Sequence, residues 1–241
     1  MNKTAVSLIG APTDIGAGTT GSRMGPDALR VAGIAEAIAQ FGIDVRDCGN
    51  ISGPANPNLP AIDGFRHLPE VVEWNRALHD AFYAELSAER LPILLGGDHS
   101  LAIGSISAVA RHCRERKKKL RVLWFDAHAD FNTATLTPSG NIHGMPVACL
   151  AGFGPQALIE IGGKVPAINP KWVRQIGIRQ RSLRRHCRLG RATELVFILV
   201  TGATLTLASG AEAETWNGTP NAQWGDSAEW TPATVPNSVG A

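Results

Sequence analysis

The sequence predicts an α/β fold in which a parallel β-sheet is covered by helices on both faces. Short apolar runs alternate with segments that carry helix start and stop signals through the first 180 residues, and this β-α-β-α order is typical of open α/β proteins. The runs are mostly apolar on both sides, as expected for strands buried between two helical layers. With 241 residues, 44% of them hydrophobic, the chain is long enough to bury such a core.

Five strands are predicted, and they are the apolar runs at 5–9, 43–46, 92–95, 121–125 and 172–176. Three helices lie between them. The first begins at Pro26 and ends near Gly42, because proline is favoured in the first helical turn and glycine just past the end. The second covers about 69–89, and the third extends from its capping residue Ser100 to about Arg114.

Composition and charge exclude several classes of partner. The net charge of +2 indicates no general attraction to nucleic acid or to a membrane surface. The four cysteines include no Cys-x-x-Cys pair, a pattern that suits reduced thiols in a cytosolic protein. The apolar part of the first ten residues is too short for a signal peptide. We therefore expect a cytoplasmic location for the first domain and a small-molecule partner.

Two polar motifs follow neighbouring predicted strands at their carboxyl ends, where open α/β sheets bind ligands. Residues 96–100 are Gly-Gly-Asp-His-Ser, and residues 126–130 are Asp-Ala-His-Ala-Asp. In an extended segment alternate side chains project to the same side, so the three polar side chains of the second motif are expected to face one way. The glycines before His99 allow a sharp turn that would present its imidazole inward.

These donors suit a divalent metal ion. Carboxylates dominate, thiolates are absent, and manganese is therefore the first choice, with zinc, iron and magnesium as alternatives. Either motif alone could be a solvated turn or a structural histidine, but two in tandem at strand ends predict part of a two-metal hydrolase site. The candidate ligands are His99, Asp126, His128 and Asp130.

A third glycine-rich motif, Gly-Ala-Gly-Thr-Thr-Gly at residues 16–21, matches the dinucleotide-binding pattern. A dinucleotide site requires the helix to open at the motif. Here the helix signal comes only at Pro26, so a loop beside a substrate site is the preferred interpretation.

The motifs resemble those of the arginase branch of the ureohydrolases. The resemblance rests on residues 96–100 and 126–132, and on the Ser-Gly-Asn-Ile-His-Gly-Met-Pro loop at 139–146. Shorter matches lie at 9–12, 25–30 and 47–49. It covers about residues 4–180. Agmatinases and formiminoglutamases share the metal motifs and remain alternatives, but the loop at 139–146 favours arginase.

The resemblance implies an arginase/deacetylase-like three-layer fold and manganese-dependent hydrolysis of L-arginine to L-ornithine and urea. It implies that His99 and Asp130 bind one manganese ion and that His128 binds a second, with Asp126 bridging the two. Two such ions lower the pKa of a bridging water and supply hydroxide near neutral pH. His143 would shuttle protons at the mouth of the site. The amino-acid end of the substrate would be held by Asn132, Thr137, Ser139 and Asn141. Members of the family usually form homo-oligomers.

The chain departs from the family pattern after Arg179. The family has a later Asp-x-Asp pair that completes the metal site, and here the only aspartate after Asp130 is Asp226. The family also has an acidic residue soon after the Ile-Gly-Ile-Arg segment, where this chain has Gln-Arg-Ser-Leu-Arg. We therefore expect residues 1–180 to be an incomplete arginase-like domain with impaired or absent turnover. A non-catalytic remnant and a secreted-passenger fusion remain alternatives.

The last 61 residues differ in character from the rest. Residues 181–213 are basic, then apolar, then small, which is the layout of a signal peptide. The apolar run at 195–207 is shorter than the ~20 residues of a membrane span, and a buried strand or helix is the alternative. Residues 214–241 are rich in Trp, Gly, Pro and Asn and resemble the start of an autotransporter-type passenger, with a disordered tail as the alternative.

Overall fold

The computed structural model describes residues 5–178 together with three short strands at 195–200, 215–216 and 230–231. The chain divides into two units, Met1–Thr201 and Gly202–Ala241. The described strands and helices of the first unit are, in chain order, β1 (Ala5–Ala11), α1 (Gly25–Val31), α2 (Ile34–Ala39), β2 (Asp44–Asn50), α3 (Leu68–Ser87), β3 (Leu91–Gly96), α4 (Ala102–Glu115), β4 (Leu120–Phe125), α5 (Pro146–Leu150), α6 (Gln156–Ile159), β5 (Val173–Ile176) and β6 (Leu195–Val200).

All strand pairings described in the first unit are parallel. The strands form two three-stranded sheets, in the order β2-β1-β3 and β5-β4-β6. The α/β class and the five predicted strands are confirmed, each strand to within a few residues at its ends. The parallel sheet covered by helices is likewise confirmed, and its described strands group by hydrogen bonding into these two sets of three.

Helices cover both faces of the first sheet, as the alternating side chains of β1 show. Val6 and Leu8 pack in one apolar cluster with side chains of α2, among them Ile38. Ile9 and Ala11 belong to the other cluster, which holds the buried faces of α3 and α4. Because successive side chains of a strand point to opposite faces, a helical layer lies on each side of β1.

The predicted helix from Pro26 to Gly42 is two helices in the structure. Gly33 has a φ of 79°, a left-handed conformation that glycine adopts without a steric penalty, and it separates α1 from α2. The other two predicted helices are confirmed as α3 and α4. No helix among the described residues is long and apolar enough to cross a lipid bilayer.

Residues 195–200 form β6, which pairs with β4 in continuous parallel register from Leu120 with Leu195 to Phe125 with Val200. From the sequence, this run was interpreted either as part of a signal-like segment or as a buried strand or helix. The structure describes a strand. The rest of the predicted 181–213 segment lies outside the described residues. In the second unit the structure describes only the antiparallel pairing of Thr215–Trp216 (β7) with Trp230–Thr231 (β8). The predicted passenger-like character of 214–241 otherwise falls outside the described residues.

Candidate metal centre

The candidate site lies where β3 and β4 end. The segment after β3 is fixed by a close approach between two backbones: a Cβ atom on Gly97 would lie 1.8 Å from the carbonyl oxygen of Thr13, so only glycine fits there. The N–H of Asp98 donates to the same carbonyl at 3.0 Å. This places His99 at the start of a short 3₁₀ turn that leads into α4.

Three predicted ligand side chains converge. The Nδ1 atom of His99 lies 2.9 Å from Oδ2 of Asp126 and 2.7 Å from Oδ2 of Asp130. The three side chains are only 9–13% exposed. Their ligand atoms all lie within 4.8 Å of one another, the spacing of a group that can hold a metal ion.

His128, the fourth predicted ligand, lies outside this group. Its Nδ1 atom is 3.4 Å from the other carboxylate oxygen of Asp126, Oδ1, and its side chain is 67% exposed. His128 is thus far more exposed than Asp126 and Asp130 while its Nδ1 atom stays close to the Asp126 carboxylate, and its place as a metal ligand remains a prediction. The chain leaves the extended conformation after Phe125, and Asp130 has a φ of 46°, so strand alternation does not apply.

Asp126 consequently presents its two oxygens to different partners. Oδ2 faces His99, whereas Oδ1 accepts a hydrogen bond from the backbone N–H of His128 at 2.9 Å and lies near that imidazole. The Asp126 carboxylate thus lies between the buried group that it forms with His99 and Asp130 and the exposed imidazole of His128.

Two residues to which the sequence reasoning assigned no role lie next to His99 in the chain or in space. The buried Trp124 stacks on His99 with 4.3 Å between ring centroids. The carboxylate of Asp98 accepts hydrogen bonds from the backbone N–H groups of Gly16 and Ser100 at 2.9 and 2.8 Å. Burial raises the pKa of Asp98, while these hydrogen bonds oppose the shift. The alternation of Trp124 with the buried Val122 in β4 was the available signal for an inward-facing ring.

The loop after Asp130 contains the predicted substrate-binding residues. Its two ends are tied beside the ligand segment, because Asn132 donates its N–H to Gly144 at 3.0 Å and Val147 donates to the carbonyl of Asp130 at 3.0 Å. The N–H of His143 donates to Gly16 at 3.0 Å, which joins this loop to the glycine-rich loop at 16–21.

Side-chain hydroxyls shape the middle of the loop. Oγ1 of Thr137 accepts from the N–H of Gly140 at 3.1 Å, and Oγ of Ser139 accepts from the N–H of Asn141 at 3.3 Å. A hydroxyl that accepts in this way keeps its proton available for donation. Asn132 and Ser139 are exposed, and Thr137 and Asn141 are partly buried.

The donor set fits a divalent cation. Two carboxylate oxygens directed at one imidazole nitrogen concentrate negative charge in a largely buried space, and a cation would neutralise it. One nitrogen and two oxygen ligands suit manganese, zinc, iron or magnesium. The fold and this group therefore define a three-layer α/β protein with a metal-capable centre at the carboxyl ends of its strands.

Comparison with known proteins identifies the family. The model of the arginase family matches residues 4–199, and the chain belongs to that family. It is 44% identical over 176 residues to the arginase of Bacillus caldovelox and 41% identical over 179 residues to that of Brevibacillus brevis. These alignments cover 72% and 74% of this chain. The chain spans 58% of the length of each of these curated relatives.

Solved structures agree with the sequence relatives. The Bacillus caldovelox arginase superposes with a TM-score of 0.69 at 42% identity, over 73% of this chain and 58% of that one. The Entamoeba histolytica arginase, solved in complex with L-ornithine, gives a TM-score of 0.67 at 36% identity, over 75% of this chain and 60% of that one.

Proposed function

We propose that this site is the active site for a manganese-dependent hydrolysis of L-arginine to L-ornithine and urea. The observation that carries the proposal is the convergence of His99 Nδ1 with Asp126 Oδ2 and Asp130 Oδ2 at the carboxyl end of β4. It is supported by membership of the arginase family and by relatives of about 40% identity that are named arginases.

His99, Asp126 and Asp130 would hold one manganese ion. Asp126 would bridge to a second, because its Oδ1 atom faces away from this group and toward His128. Bound manganese supplies the nucleophile of the reaction, since a metal-bound water loses a proton near neutral pH.

The loop after Asp130 would hold the amino-acid end of the substrate. Thr137 and Ser139 both use their hydroxyl oxygens as acceptors within the loop, so each hydroxyl proton is free to be donated to the substrate α-carboxylate. Asn132 and Asn141 would add amide donors on either side. Each hydroxyl would therefore shape the loop through its oxygen and bind the carboxylate through its proton.

His143 would supply the proton that the reaction needs. Hydrolysis adds a water oxygen to the guanidinium carbon and breaks the bond from that carbon to the side-chain nitrogen, which must gain a proton to leave as the amine of ornithine. The backbone of His143 is anchored to Gly16, so its imidazole is held on a fixed part of the loop.

The 241-residue chain would turn over little. Its sequence after Asp130 contains no Asp-x-Asp pair, so the second metal position has only His128 and the bridging Asp126. Loss of one well-placed electrostatic group can lower turnover by ~10²–10³, and losses within one catalytic unit do not add simply.

The test measures urea release from L-arginine with manganese. It compares the chain with a chimera in which the residues after Arg179 are replaced by the corresponding segment of the Bacillus caldovelox arginase. We expect release near background for the chain and recovery by at least ~10²-fold in the chimera. His128→Ala should abolish the recovered activity, and His112→Ala, on α4, should leave it unchanged.

Two results would contradict the proposal. Urea release by the chain equal to that of the chimera would show that the missing carboxylates are not needed. A well-folded chimera that binds manganese but hydrolyses another guanidino compound in preference to L-arginine would exclude the proposed substrate.

A further inference from the structure

A polar cavity is lined by residues outside the metal-ligand group. Its volume is about 250 Å³, and it lies between the glycine-rich loop at 17–20 and the loop at 56–60. Arg66 and His67 complete the lining. None of its lining residues is one of the proposed metal ligands or substrate-binding residues.

Arg66 has an unusual environment. Its Nε atom is buried and makes no hydrogen bond to any residue that the structure describes. Within the same described part of the chain, its guanidinium forms no ion pair. Arginine stays protonated in proteins, and a buried donor without a partner is energetically unfavourable. The backbone of Arg66 is held in place, because its N–H donates to the carbonyl of Gly140 at 2.8 Å.

The remaining lining supplies no compensating negative charge. It contains no aspartate or glutamate, and its polar members are threonine, asparagine and His67. The His67 ring is already engaged by backbone, with Nδ1 3.1 Å from the carbonyl of Ile15 and Nε2 2.9 Å from that of Leu59. Among the residues that line the cavity, Arg66 therefore provides a cation without an acidic partner, beside uncharged threonine and asparagine side chains.

We propose that this cavity binds a small oxyanion, either inorganic phosphate or a small carboxylate, through Arg66. A guanidinium presents its donors as a planar fork that matches the oxygen pairs of both anions. The volume has room for either anion together with a few waters, each of which occupies about 30 Å³. Its lining includes none of the metal ligands or substrate-binding residues, so anion binding here can be measured separately from the proposed arginine hydrolysis.

A bound oxyanion would also act on the loop at 137–143. Arg66 and Gly140 share a backbone hydrogen bond, and a Cβ atom on Gly18 would lie 2.6 Å from Nδ2 of Asn141, so the cavity wall directly contacts that loop. Pairing of the Arg66 guanidinium would thus stabilise the backbone on which Asn141 is held.

The test is calorimetric titration of the metal-free full chain with inorganic phosphate and, separately, with acetate. We expect saturable binding of at least one anion, weakened roughly 10- to 100-fold by Arg66→Met, the equivalent of losing one or two charge-assisted hydrogen bonds. Arg76→Met removes an exposed arginine beside a different cavity and should leave the affinity unchanged. His99→Ala should also leave it unchanged, which separates this site from the metal centre.

The two anions distinguish the source of the ligand: binding of phosphate alone identifies a phosphate site, and binding of acetate alone identifies a carboxylate site. Melting temperatures without anion show whether each variant is folded. If Arg66→Met does not fold, Arg66→Lys, which keeps the charge and loses the fork, should bind roughly tenfold more weakly. No saturable binding of either anion, unchanged affinity in a folded Arg66 variant, or an equal loss in Arg76→Met would overturn the proposal.

Discussion

The indole of Trp124 lies stacked on the imidazole of His99, with 4.3 Å between the ring centroids and 21° between the ring planes. Trp124 is buried in β4, so the strand that leads to Asp126 also orients the histidine that comes from β3. A metal ligand held by packing needs little reordering when an ion binds. The two sequence motifs are thus joined through a residue that belongs to neither.

Asp98→Ala is expected to destabilise the fold. The carboxylate accepts the N–H groups of Gly16 and Ser100, and its loss would leave both donors without their charged partner in a buried environment. We expect the free energy of unfolding to fall by about 2–4 kcal/mol in urea titrations. Glu73→Ala, an exposed acid on α3, serves as the control and should change it by less than about 0.5 kcal/mol. Equal effects of the two substitutions would mean that Asp98 has no structural role.

Gly104→Ala is expected to disturb the packing of α3 against α4. A Cβ atom at position 104 would lie 2.2 Å from the backbone oxygen of Asn75. The N–H of Gly104 also donates to Oδ1 of Asn75 at 2.7 Å, so the helices cannot separate without losing that bond. We expect a loss of about 2 kcal/mol or more, measured by thermal unfolding.

Gly96→Ala is the matched control for that substitution. Its Cβ atom would have no neighbour closer than 3.5 Å, which is ordinary van der Waals contact. A melting temperature for Gly104→Ala as high as that of Gly96→Ala would show that the helices can separate at little cost.

Asp47 is expected to make stability depend on pH. The two hydrogen bonds that it accepts from Arg30, at 2.7 and 3.0 Å, lower the pKa of its carboxyl group. Because the pKa in the folded state lies below that of the unfolded chain, the unfolded chain binds more protons, and stability falls as the pH falls. The contribution is fully present above the unfolded value of about 3.9 and is lost as the pH falls through the lower folded value.

Asp47→Asn measures this contribution. We expect the variant to be about 0.5–1 kcal/mol less stable than the parent at pH 7, a small value because the pair is partly exposed and screened by solvent. The difference should shrink as the pH falls below the unfolded value of about 3.9. A difference that stays constant between pH 7 and pH 2.5 would indicate an effect of the side chain other than its charge.

Much of the fold followed from local patterns. The strand β1 was predictable because Val6, Leu8 and Ile9 lie in a mostly apolar run, and α3 because a proline marks its first turn. The break between α1 and α2 at Gly33 was not predictable. A glycine inside a helical pattern can either continue the helix or adopt a positive φ, and only tertiary packing decides between these two outcomes.

The candidate site was predictable in composition and only partly in geometry. The convergence of His99 with Asp126 and Asp130 follows from motifs at the carboxyl ends of two strands, where open α/β proteins bind ligands. The outward position of His128 depends on the conformation after β4, where no regular alternation operates. The unpaired guanidinium of Arg66 could not be foreseen at all, because it depends on what lies around that side chain rather than on the sequence near it.

Manganese titration of the full chain tests the central claim, that His99, Asp126 and Asp130 form one metal site. We expect one tightly bound ion per chain, with affinity lowered at least ~10- to 100-fold by Asp130→Ala. His128→Ala should lower it much less, because that imidazole lies outside the buried group. His112→Ala controls for removal of a histidine elsewhere. Two tight sites per chain, or an Asp130→Ala variant that binds manganese as tightly as the parent, would contradict the account.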